Sequence, residues 1–150
     1  MSLETNIMDQ LKQAMKDKNE VALRTLRAIK AAILVEKTAA GAKEEITAAD
    51  EIKILQKLAK QRKDSLDIFR TQGREDLAVK EEEEIAVIEQ FLPKQMTPEE
   101  LDTEIKGIIT SIGASGPSDM GKVMGAASKQ LVGKADGKAI ADTVKRLLTA

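Results

Sequence analysis

Leu77-Ala78-Val79-Lys80-Glu81-Glu82-Glu83-Glu84-Ile85-Ala86-Val87-Ile88-Glu89-Gln90-Phe91-Leu92 decides how this chain folds. Leu77, Ile85, Ile88, Phe91 and Leu92 recur at the spacing of one helical face, and Glu81 and Glu84 fall inside the same stripe. Arg62 lies in a second stripe, among Leu55, Leu58, Leu66 and Phe69. Arg27 and Lys30 lie in a third, among Leu23, Leu26, Ile33 and Leu34. A lone charge buried in an apolar face is very costly, so opposite charges on facing helices should meet. The pattern therefore predicts a bundle in which Glu81 and Glu84 pair with Arg62, Arg27 or Lys30. Glu82 and Glu83 read as a solvated face.

Working outward, the chain reads as helix after helix. Ser2 or Thr5 starts the first, which ends near Lys18; Asn19 caps the second, which Gly41 stops after about Ala39. Thr47 followed by Asp50 opens the third, over about residues 48–72 before Gly73, and the fourth runs from Glu75 to Leu92, where Pro93 ends it. Thr97-Pro98-Glu99-Glu100 is a strong start for a fifth helix ending by Gly113. The sixth should start at Ser118 or Asp119 and end at Gly133. The seventh should run from Asp136 to the C-terminus. No segment alternates with period two, so the expected fold is all-α. Glycine usage changes at Pro93–Thr97: residues 1–92 hold two glycines and residues 107–137 hold seven. The expected organisation is a four-helix domain of long helices over 1–95 and a small three-helix subdomain over 96–150.

Composition removes several kinds of chemistry. Hydrophobic residues make up 42% and charged residues 33%, with Phe69 and Phe91 the only aromatics, so the core must be aliphatic. There is no Cys, hence no disulfide or thiolate ligand, and no His, the commonest general base and metal ligand. Serine and cysteine hydrolase arrangements lack their base. A di-iron carboxylate bundle lacks its Glu-x-x-His motifs. No catalytic residues, metal or cofactor are expected. A net charge of −1 gives the whole chain no drive toward nucleic acid or acidic lipid. Leu3, Ile7, Met8, Leu11, Ala14 and Met15 are spaced as one helical face rather than a signal-peptide core, and no run approaches a membrane span. A cytoplasmic location is the resulting expectation, with neither membrane nor DNA as a partner.

Gly116-Pro117-Ser118-Asp119-Met120-Gly121-Lys122-Val123 fits the G-x-x-x-x-G-K spacing of a phosphate loop, but Val123 stands where Mg²⁺ needs a hydroxyl, and a helix precedes it rather than a strand. A weaker expectation survives: a glycine-rich helix start beside lysine can receive a phosphate. Gly133-Lys134-Ala135-Asp136-Gly137-Lys138 repeats the theme. Residues 113–150 carry six Lys and Arg against three Asp. Lys122, Lys129, Lys134 and Lys138, with Gly121, Gly125, Gly133 and Gly137, are the candidate surface for structured RNA, read by its backbone since no Tyr or Trp offers a stacking platform. The face Lys53, Lys57, Lys60 and Lys63, interrupted by Asp64 and Asp67, reads as solvated. An alternative is a protein-interaction module using Met120, Met124 and Leu131, or that lysine face.

The run Arg62-Lys63-Asp64-Ser65, Phe69, Gly73-Arg74, Asp76-Leu77, the Glu81/Glu84 pair and Phe91-Leu92-Pro93 resembles the YqeY-like family. Asp119-Met120-Gly121-Lys122-Val123-Met124-Gly125 and Gly133-Lys134-Ala135-Asp136-Gly137 strengthen the resemblance, which covers nearly the whole chain. It implies a relationship to the tail of the GatB subunit of glutamine-dependent aminoacyl-tRNA amidotransferase, a region that helps hold tRNA while other domains do the chemistry. It also implies an association with carbon–nitrogen ligases that use glutamine as amido donor. The residues limit that association: neither a nucleophile constellation nor a nucleotide and metal site is present. The expected role is therefore a non-catalytic module binding tRNA, or an accessory to an amidotransferase or another protein partner.

Overall fold

Residues 2–39, 41 and 45–149 are described by a computed structural model. Their helices are α1 Leu3–Lys16, α2 Glu20–Thr38, α3 Ala48–Thr71, α4 Glu75–Glu89, α5 Pro98–Ile112, α6 Met120–Gln130 and α7 Gly137–Thr149. A single 3₁₀ turn, Pro117–Asp119, leads into α6, and no strand occurs among the described residues. The expected end of α7 at Ala150 lies outside them.

The helix starts follow local chemistry. Ser2, Asn19, Thr47 and Thr97 each accept a backbone N–H from the first turn of the helix they open. Thr47 with Asp50, and Thr97 with Glu100, close reciprocal capping boxes that satisfy otherwise orphaned donors. Between α1 and α2 the chain turns at Lys18, which adopts a left-handed φ of 54°. Gly73 and Gly113, at φ 71° and 75°, make the turns after α3 and α5, where a Cβ would be strained.

One expected helix end moves. α4 stops at Glu89 rather than Leu92, because Gln90, Phe91 and Leu92 donate to carbonyls three residues back. Pro93 disfavours the α conformation in the residue before it, so the final turn tightens instead of continuing. α6 is likewise shorter than expected. It begins at Met120 after the 3₁₀ turn, and the chain leaves it well before Gly133.

The chain divides into two units, Met1–Pro93 and Lys94–Ala150. The first packs α1–α4 around Ile7, Leu26, Ile29, Leu55 and Ile88, with Leu66, Ala78 and Ile85 as a smaller cluster toward the tip of the α3–α4 hairpin. The second packs α5–α7 around Ile105, Val123, Ala127, Leu131 and Val144. Its entry segment is pinned at the α6–α7 connection. The Met96 N–H donates to Lys134 O at 2.8 Å, and the Gln95 amide donates to Gly133 O at 2.6 Å.

Candidate functional site

The exposed face of α6 follows directly from its buried one. Val123 and Ala127 point into the core, so helical spacing places Gly121, Lys122, Gly125 and Lys129 together on the opposite, exposed face. A Cβ added at Gly121 or Gly125 would meet nothing within 4 Å, so the backbone there is open to a bulky contact. Lys134, in the α6–α7 connection, and Lys138, in the first turn of α7, are also exposed. Gly133 does not join this surface. It is buried, at φ 75°, and makes the chain reversal that receives the Gln95 bond. Gly137 is exposed at the first position of α7.

The two glycine-rich helix starts use their aspartates differently. The Asp119 carboxylate accepts the Ser115 N–H at 3.0 Å, and that backbone bond holds its carboxyl below the usual range, with a further backbone bond from Gly116 and the charge of Lys122 acting the same way. At α7 the Asp136 carboxylate accepts from Lys138 N at 2.6 Å and Ala139 N at 3.3 Å. At α7 the first-turn donors that would cradle a phosphate are thus taken by Asp136, whereas Asp119 turns back to the loop and no side chain caps the first turn of α6. What these elements offer a polyanion is lysine ammonium groups and open backbone.

The charge cluster of the first unit centres on Glu84. Arg62 of α3 donates through Nε to Glu84 Oε2 at 2.9 Å, and Arg24 of α2 donates through Nε to Glu84 Oε1 at 3.1 Å. Arg62 also donates to Leu58 O at 3.2 Å, and Arg24 reaches Glu83 at 3.3 Å. One carboxylate therefore joins three helices. The Arg62 and Glu84 side chains are only 16% and 18% exposed. Glu81, half-buried one turn earlier, makes no ion pair with a described residue; burial first, and repulsion from Glu84 second, push its carboxyl up against the pull of Arg62 and Arg24. Glu82 pairs with Arg70 and Glu89 with Lys63, so the acidic run is more engaged than a plain solvated face.

Arg27 and Lys30, expected as partners here, are exposed and make no ion pair with described residues; Arg24 occupies the role. The reason is the position of the α2 stripe. Counting Leu34 as core drew its centre toward Arg27 and Lys30, yet Leu34 is 60% exposed and the buried line runs through Leu26, Ile29 and Ile33. Arg24 then flanks the side facing α4. Recognising Leu34 as exposed was the one signal that could have found it.

The Yqey-like protein family matches residues 4–148, almost the full chain. The chain belongs to that family. Among its relatives is "Altered inheritance of mitochondria protein 41, mitochondrial" of Pyrenophora tritici-repentis, 31% identical over 144 residues, 93% of this chain and 77% of that protein. Proteins of the same name from Lachancea thermotolerans and Vanderwaltozyma polyspora are 31% and 35% identical over 118 and 107 residues. Those matches span 75% and 68% of this chain, and 61% and 56% of the relatives.

These names overturn the cytoplasmic expectation, since each relative is called mitochondrial. The expectation rested on the lack of a secretory signal core, and organellar leaders are amphipathic segments with no such core. For this Yqey-like family member the remaining surfaces are as follows. Lys60 pairs with Asp64 and Lys63 with Glu89, which tempers the lysine face of α3. Leu131 is 2% exposed and so is interior, while Met120 and Met124 are partly buried against the core, which removes Leu131 from the apolar partner surface expected there. Among the described residues no group of three or more acids could hold a metal, and no helix is long and apolar enough to cross a membrane.

Proposed function

We propose that this Yqey-like protein is a non-catalytic helical module, four helices over 1–95 and three over 96–150, that holds tRNA or another structured RNA through α6 and the start of α7. The observation that carries the reading is the exposed α6 face, where Lys122 and Lys129 lie beside the bare backbone of Gly121 and Gly125. Such a surface suits a phosphate–sugar backbone, because ammonium groups neutralise phosphates and side-chain-free positions permit close approach. Lys134 and Lys138 extend it. The resemblance to an amidotransferase tail supports the same assignment, with glutamine chemistry left to partner proteins. Purified chain alone should not turn over glutamine.

The test is fluorescence anisotropy of labelled tRNA at about 50 and about 200 mM salt, with wild type and a Lys122→Glu/Lys134→Glu chain. Because relatives are named for mitochondria, an organellar tRNA pool belongs beside a bulk one. Salt-sensitive binding that weakens in the variant, with the salt slope reduced by about 2, supports the reading. Equal binding by both chains, or none at low salt, overturns it.

A further inference from the structure

The protein has six arginines: Arg24, Arg27, Arg62, Arg70, Arg74 and Arg146. Five clasp a carboxylate; Arg27 alone makes no ion pair with a described residue. Lys30, one turn on, has none either. Both lie on the exposed face of α2, at the spacing that also brings Ala31 and Leu34 to that face. The Glu4–Lys37 ion pair joins the start of α1 to the end of α2, so the two helices run antiparallel with those residues on their shared edge. Helical spacing from Glu4 puts Met8 and Met15 along the α1 side of that edge, and from Lys37 it puts Lys30 and Leu34 along the α2 side. Met8, Met15 and Leu34 are all exposed.

We infer that this α1–α2 edge is a docking surface for an acidic amphipathic helix of a partner protein. Carboxylates one turn apart on that helix meet Arg27 and Lys30, and its apolar side chains cover Leu34, Met8 and Met15. Exposed Ala31 lets the two backbones approach. Arginine and methionine are favoured where a protein surface is built for a partner, and the helix-in-groove mode needs this mixture of apolar seam and flanking charge. Charge complementarity selects the occupant. Two cations contribute only about 1 kcal/mol each at an acidic lipid surface, too little to anchor a chain whose net charge is −1. A second copy docking by two-fold symmetry would present this same patch, with Arg27 and Lys30 rather than carboxylates to meet them. The surface uses residues of α1 and α2 and none of the α6–α7 lysines, so it stands or falls apart from the RNA reading.

The full chain is titrated with two synthetic amphipathic helical peptides that share one Leu face and carry Glu or Lys at the flanking positions. Wild type should bind the Glu peptide at least tenfold more tightly (about 1.4 kcal/mol). An Arg27→Glu/Lys30→Glu chain should reverse the preference, and Leu34→Asp should weaken both peptides. The milder Arg27→Gln/Lys30→Gln chain should lose the preference without acquiring the opposite one, with melting temperatures unchanged throughout. The inference is overturned by equal affinity for the two peptides, by a preference that survives charge reversal, or by tighter binding to phosphatidylserine vesicles than to the Glu peptide.

Discussion

The two units use charge in opposite directions. In the first, Arg24 and Arg62 turn toward neighbouring helices and donate to Glu84, Glu83 and the Leu58 carbonyl. In the second, Lys122 and Lys129 turn outward from α6 on the face that carries the bare Gly121 and Gly125. A carboxylate bound to two guanidiniums from different helices is part of the packing. A lysine beside exposed glycine is free to meet something else. The difference teaches that the sign of a charge says little about its role, whereas its angle from the buried stripe says a great deal.

The sharpest way to break the comparison is Glu84→Ala. Removing the hub leaves Arg62 half-buried without its partner and unties three helices, so thermal or denaturant unfolding should show a loss of about 3 kcal/mol. Glu82→Ala, at an exposed pair with Arg70, should cost under about 1 kcal/mol. Equal small losses would make the inward cluster an ordinary surface feature. Next comes Asp136→Ala, which removes the cap at α7 and should cost about 1 kcal/mol. Inorganic phosphate should recover part of that loss in the variant while leaving wild type unaffected, since only the variant has the Lys138 and Ala139 donors vacant.

Glu81 provides a pH-dependent contrast of smaller size. Its carboxyl is raised above the ordinary value, so the folded state holds its proton more tightly than the unfolded state does. The stability it contributes is therefore present at low pH and lost as pH rises through the folded value. Glu81→Gln should raise the melting temperature at pH 7, with the advantage shrinking as pH falls into the carboxylate range. An advantage that persists unchanged at low pH would show that protonation is not its source. The smallest effect belongs to Lys18→Gly: glycine relieves the left-handed turn between α1 and α2 but adds freedom to the unfolded chain, for a net gain under about 1 kcal/mol.

Much of the all-helical fold was legible because its signals are local. Asn19, Thr47 and Thr97 cap where their spacing says they should, and Gly73 and Gly113 stop helices by adopting a conformation other residues resist. That Glu84 would meet a cation from a facing helix was legible too, since each sits inside an apolar stripe, but which cation it meets was not. The place of Arg27 and Lys30 was not, because one exposed leucine shifted the apparent centre of α2. Leu131 misled in the other direction, as a residue beyond the regular part of α6 whose burial depends on the chain folding back through Gly133.

By itself the sequence determined the helices, their caps and turns, the aliphatic core and the lack of histidine and cysteine chemistry. Each of these depends on residues a few positions apart or on composition alone. Only the tertiary structure decided that Arg24 rather than Arg27 reaches Glu84, and that the side of α2 bearing Arg27 and Lys30 stays open. It also decided that Asp136 occupies first-turn donors of α7, whereas Asp119 turns back to the loop before α6. Those outcomes depend on which neighbour lies beyond a helix face and which side chain reaches a backbone donor first. Helical periodicity specifies an angle about an axis, and only packing specifies what stands at that angle.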